Sequence, residues 1–116
     1  MKKTLLNLTQ NRVLSRNVKY CNRIFSRMKG LLGTSRPGEI EACWLVPCNS
    51  IHTLGMRYTI DAYFLNKKNE VVAIVKRLKP NRFSPLYLNA HSVLEFPAAD
   101  GNHCQIGDRL AAEDRP

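Results

Sequence analysis

The chain has 116 residues, of which 44% are hydrophobic and 23% charged, with 18 Lys and Arg against nine Asp and Glu. That length suits one domain and buries enough surface to fold without disulfides or a structural metal, and the composition excludes a disordered chain. No apolar run approaches membrane-spanning length.

The opening MKKTLLNLTQN starts with two lysines, as a signal peptide does. Its apolar part is only Leu5, Leu6 and Leu8, broken by Asn7, which is too short for the hydrophobic region of a leader. The expected location is therefore cytoplasmic. Residues 3–9 and 12–20 read as two strands joined around Gln10-Asn11, with loose alternation of apolar and polar positions. Asn22 then caps an expected short helix running to Lys29, with Ile24, Phe25 and Met28 on one stripe and Gly30 or Gly33 beyond its end. Arg23 and Arg27 fall on the outer side of that helix.

Charge is distributed unevenly. Residues 1–38 carry nine basic side chains and no acid, whereas the nine basic and nine acidic residues of 39–116 cancel. The whole excess of +9 thus lies in the first third. Such asymmetry suits either a solvated surface or an anionic partner, nucleic acid or membrane, with Arg23, Arg27 and Lys29 as the candidate contacts. A smaller basic group, Lys76, Arg77, Lys79 and Arg82, lies in the neutral part.

From Ala42 onward the pattern is β-like. Strands are expected at 42–46, containing Trp44, then at 49–54 and 59–65, these last two separated by Gly55 and Arg57. Asn66-Lys67-Lys68-Asn69 is a turn that returns the chain through 71–77 as a hairpin. Residues 80–85 form a loop, followed by a short ordered piece to Asn89. Residues 91–96 are another strand, 98–104 a loop or single helical turn, and 109–112 a last strand after Gly107-Asp108. Seven or eight short strands and one short N-terminal helix predict a mainly β protein, a small antiparallel sandwich or barrel-like single domain spanning 1–116.

The chemistry-bearing residues gather in PCNSIHTLGMRYTIDAYFLN. Cys48, His52 and Met56 recur every four residues, a spacing that shares a face in helix and strand alike. Soft ligands of this kind suggest copper, but a blue-copper centre needs a second histidine, and zinc sites use paired close ligands that the four cysteines do not supply. Cys48 and Met56 are the residue types that most often simply pack. Asp61 lies inside an apolar strand and Glu95 inside Val93-Leu94-Glu95-Phe96, where an ionised carboxylate costs several kcal/mol unless paired or hydrogen-bonded. Asp61 either accepts backbone N–H groups or pairs with a base such as Arg57, Arg82 or His52. No G-x-S-x-G, P-loop, dinucleotide-binding fingerprint or H-E-x-x-H is present.

RMKGLLGTS, CNSIHTLGMRYTIDAYFLNKKNEVV, LKPNRF, AHSVLEFPA and IGDRL occur in this order, from Arg27 to Leu110. This block series resembles the prokaryotic family called domain of unknown function 192. The resemblance implies a compact, mostly antiparallel β fold and brings no established reaction. It sets His52, Thr53, Met56, Asp61, Glu95 and Asp108 at the family's signature positions, and Cys48 and Arg82 at those of one branch. Many members begin with a signal peptide or anchor, from which this chain departs, and PAAD stands where they often have a proline-alanine-glycine turn.

The expectation is a non-enzymatic domain, without cofactor or metal, that binds a small ligand or protein partner in a pocket lined by His52, Met56, Asp61, Arg82 and Glu95. Its rivals are a polyanion binder using the basic N-terminal third, and a metal- or thiol-dependent enzyme centred on Cys48 and His52.

Overall fold

A computed structural model describes residues 3–21 and 42–114. Seven strands are formed: β1 (Lys3–Asn7), β2 (Arg12–Cys21), β3 (Ala42–Leu45), β4 (Ile60–Leu65), β5 (Val71–Leu78), β6 (Ser92–Pro97) and β7 (Leu110–Asp114). They make one sheet in the order β5-β4-β6-β3-β2-β1-β7. All pairs are antiparallel except β2–β3, which is parallel.

The hairpin read from Asn66–Asn69 forms as expected. Asn66 and Asn69 close the turn onto Glu70 and Asn66, and Asn69 takes the left-handed φ of 62° that asparagine tolerates. The expected strand at 49–54 does not form. Only His52 makes an isolated bridge, to Phe83, because Thr53 bonds instead to the loop that follows β5. The helix expected at 22–29 lies outside the described residues.

The expected antiparallel sandwich or barrel-like fold is mainly β as read, but it is a single open, mixed sheet. Strand twist curls it until its two edges meet at one end, where Glu70 bridges Arg109 and Val71 N–H donates to the Asp108 carbonyl. No further pairing of β5 with β7 closes the ring among the described residues.

Both faces of the central strands are covered. On the inner face Leu5, Val18, Trp44, Tyr63, Leu94 and Phe96 pack together with Leu110. On the outer face Cys43, Leu45, Ala62, Phe64 and Val93 are roofed by two long loops, 46–59 and 79–91, whose Ile51, Met56, Tyr58 and Tyr87 pack onto them. Double coverage explains why β4 is buried at every position and why its sequence, IDAYFL, shows no alternation. Among the described residues, no helix is long and apolar enough to cross a membrane.

Candidate functional site

Register assigns each candidate carboxylate to a face. In the β4–β6 pair Asp61 stands opposite Phe96, and Ala62 opposite Glu95. Asp61 therefore leaves β4 on the inner side, while Glu95 points to the outer side with Ala62 and Cys43. The two carboxylates do not line one concavity.

Asp61 is fully buried, and a β-bulge explains how its charge is met. Between the Ile60–Leu78 and Ala62–Val75 pairs, the single residue Asp61 faces two, Lys76 and Arg77. Arg77 takes a φ of 55°, an uncommon value for a residue with a side chain. Its N–H donates to Asp61 Oδ1 at 2.9 Å. Asp61 Oδ2 accepts Lys76 Nζ at 2.7 Å and Ala99 N–H at 3.2 Å. The same ammonium donates to the Gly101 carbonyl at 2.7 Å. Both options open from the sequence are thus realised, backbone N–H groups and a base, although the base is Lys76. The node fastens the loop after β6 to the sheet and holds the bulge, which is a structural task.

Glu95 lies under the outer loops. Burial, and then the nearby negative charge of Glu95, push the Tyr58 hydroxyl above its ordinary value. His52, Met56 and Arg82 belong to the loops themselves, at their crossing. Thr53 makes that crossing rigid. Its hydroxyl donates to the Lys79 carbonyl at 2.6 Å and accepts Arg82 N–H at 2.9 Å, while its own N–H donates to the Arg82 carbonyl at 2.9 Å. Asn81 N–H donates to the Thr53 carbonyl, and Gly55 N–H to Asn81 Oδ1. Gly55 needs its φ of 77° for this turn. The resemblance put Thr53 at a signature position; its clamp was not legible from residue type.

On the clamp, His52 Nδ1 accepts Leu54 N–H at 3.3 Å and the imidazole tilts against Phe83 at 6.1 Å between centroids. Met56 packs inward and the Arg82 guanidinium is exposed. Farther along, Ser84 N–H donates to the Ile51 carbonyl and Tyr87 N–H to that of Asn49, so 83–87 runs antiparallel to 49–52. Along this run large apolar side chains face water: Leu54 is 45% exposed, Phe83 70%, Leu86 58% and Leu88 85%. Sequence reading missed them, because a loop between prolines carries no periodicity to mark an exposed leucine. Beside Leu88 an open depression of about 370 Å³ is lined by Lys67, Lys68, Glu70 and His91.

The Cys48 thiol donates to the Ser50 carbonyl at 3.0 Å, and the half-buried sulfur packs under the loops. Among the described residues, no three His, Cys, Asp or Glu side chains gather as a metal-holding group. Arg23, Arg27 and Lys29, the candidate polyanion contacts, lie outside the described residues.

A second buried node accounts for Asp108. Its Oδ2 accepts Asn7 Nδ2 at 2.9 Å, Gln10 Nε2 at 2.8 Å and Gln105 N–H at 2.8 Å. Burial pushes this carboxyl up, but those hydrogen bonds, with the Arg12 charge, outweigh it and hold the group below the ordinary carboxylate value. Its role is to tie β1 to the turn before β7.

Residues 6–112 match the model of the DUF192 family, described as an uncharacterized ACR. The chain belongs to this family. A UPF0127 protein of Thermococcus sibiricus is 31% identical over 113 residues, an alignment covering 91% of this chain and 72% of that protein. In fold the chain is similar to a crystal structure of a protein of unknown function from Novosphingobium aromaticivorans, with a TM-score of 0.75 at 17% identity, covering 94% of this chain and 82% of that one. It is also similar to a candidate transcription regulator from Sinorhizobium meliloti, with a TM-score of 0.71 at 16% identity, covering 95% and 91%. Thr53, Asp61 and Asp108 are thus buried and bonded within the chain, while His52 and Arg82 belong to the outer loops.

Proposed function

We propose that this DUF192 protein is a non-enzymatic binding domain whose working surface is the crossing of the two outer loops, with His52, Met56 and Arg82 at its centre and Phe83 as its apolar anchor. One observation carries the reading: Leu54, Phe83, Leu86 and Leu88 are each exposed on two loops that backbone and side-chain bonds tie to each other. Single exposed apolar residues are ordinary on any surface, whereas a run of them marks a contact site. A clamped loop has little conformational freedom left to lose on binding, so the contact keeps more of its free energy.

The geometry favours a partner surface over an enclosed small-ligand pocket, since Asp61 is consumed by the Lys76 node on the other face. Thermal-shift screening of metabolites, nucleotides, metals and peptides tests the reading, because a specific ligand stabilises the folded chain by mass action. A ligand that raises Tm in the wild type and not in Phe83→Ser/Leu88→Ser supports the loop surface. One that acts equally on both rejects it.

The charge asymmetry of the first 38 residues favours a second reading, polyanion binding through Arg23, Arg27 and Lys29. Retention on heparin should then fall steeply with salt and vanish when the three charges are reversed.

A further inference from the structure

We infer that the outer-loop ridge docks onto the surface of an anionic phospholipid membrane, an inference that rests on the loop crossing being the working surface.

The ridge is mostly aliphatic. Leu54, Leu86 and Leu88 offer no π face on which a nucleobase could stack, and Phe83 is the one exposed aromatic ring of the run. Side chains of this kind, held on stiff loops, fit the boundary between headgroups and acyl chains, where apolar surface is buried without any need for a complementary groove.

The rim is basic. Arg82 precedes Phe83 in the chain, Lys79 lies within the Thr53 clamp, and Lys67 and Lys68 share a depression with Leu88. Among the described residues none of these four is in an ion pair. Between 42 and 91 the acids are Asp61, buried on Lys76, and Glu70, which accepts Asn66 Nδ2 at 3.0 Å. Glu70 keeps its charge in the depression it shares with Lys67 and Lys68, but basic residues outnumber acids between 42 and 91, and an anionic leaflet attracts each basic residue near its surface. The same charge argues against a second copy of this chain as occupant, since a symmetric contact would set like charges face to face.

Flotation of the full chain with vesicles tests the inference. Phosphatidylcholine vesicles and vesicles with about 30% phosphatidylglycerol are compared at low and high salt, since both the charged and the apolar terms must act. The expected result is recovery with the anionic vesicles only, weakened by salt. It should fall about tenfold or more in Phe83→Ser/Leu88→Ser, and likewise in Lys67→Glu/Lys68→Glu. All four positions are exposed, so an unchanged Tm establishes that each variant is folded.

Recovery with neither vesicle overturns the lipid inference. If a thermal-shift ligand then still depends on Phe83, the loop surface survives as a site for something else. Flotation undiminished in both double variants overturns the inference and the surface together. A DNA or RNA oligonucleotide that binds where no vesicle does replaces lipid by nucleic acid.

Discussion

Asp61 and Glu95 occupy neighbouring strands one residue out of register, and their side chains leave the sheet through opposite faces. Groups on opposite sides of a packed sheet share no polar partner, so their contributions to stability should add. In a double-mutant cycle of Asp61→Asn and Glu95→Gln, urea denaturation should give a coupling below about 0.5 kcal/mol. A coupling of 2 kcal/mol or so would require a shared site after all.

Removing the Asp61 carboxylate leaves two backbone N–H groups without their acceptor and takes the counter-charge from Lys76, which keeps only carbonyl acceptors such as Gly101. Asp61→Ala should cost on the order of 3 kcal/mol, the usual loss when one member of a buried pair is deleted. Lys76→Met should cost less, because its ammonium is partly solvated and two N–H donors still satisfy the carboxylate. Amide exchange should accelerate at Arg77 and Ala99 in the first variant, and an Asp61→Ala protein as stable as wild type would refute the node.

Acid should act through Asp108. A carboxyl held below its unfolded value of about 3.9 stabilises the fold above that pH, and the contribution disappears as pH falls through the folded value. Asp108→Asn should therefore be less stable than wild type at pH 7 and lose less on acidification below pH ~4. Parallel acid limbs for the two proteins, followed by circular dichroism, would contradict this.

The Thr53 clamp can be cut without leaving a large cavity. Thr53→Val removes the hydroxyl that holds the Lys79 carbonyl and Arg82 N–H, and should cost roughly 2 kcal/mol for the buried groups left unbonded. Thr53→Ser should recover most of that loss. Faster amide exchange at Asn81 and Arg82 should accompany the first variant alone.

Much of the architecture was legible because local chemistry dictated it. The Asn66–Asn69 turn, the apolar run of IDAYFL and the strands on either side of residues 22–41 all follow from residue type. The site was less legible, for reasons of geometry. Whether Asp61 and Glu95 meet depends on the parity of the β4–β6 register, which a one-residue slip inverts, and no turn joins those strands to set it. Lys76 was missed as the partner of Asp61 because regular alternation gives no hint of the bulge at Arg77. Residues 49–54 read as a strand, yet Thr53 gives its backbone and hydroxyl to residues 79–82, so pairing stops at His52. Conversely, nothing in the loop and short ordered piece of residues 80–89 marks Phe83, Leu86 and Leu88 as exposed, and only the fold reveals them at the surface.

Thiol reactivity bears on the rival centred on Cys48. Burial pushes the Cys104 thiol up to about 12, so at pH 8 it is almost wholly protonated as well as inaccessible. Iodoacetamide should leave Cys43 and Cys104 unmodified in the native protein and reach Cys48 slowly, as mass spectrometry would read. A Cys48 that alkylates within seconds would indicate an activated thiolate and revive the enzyme reading.

The most direct measurement of the central claim is residue-resolved: amide signals of the nitrogen-15-labelled chain as anionic phosphatidylglycerol bicelles are added. Signal loss should concentrate at 52–57, 67–68 and 79–90, with β1, β7 and 98–105 unaffected. Loss centred on 22–41 or on 98–105, with the loop crossing unchanged, would contradict the account.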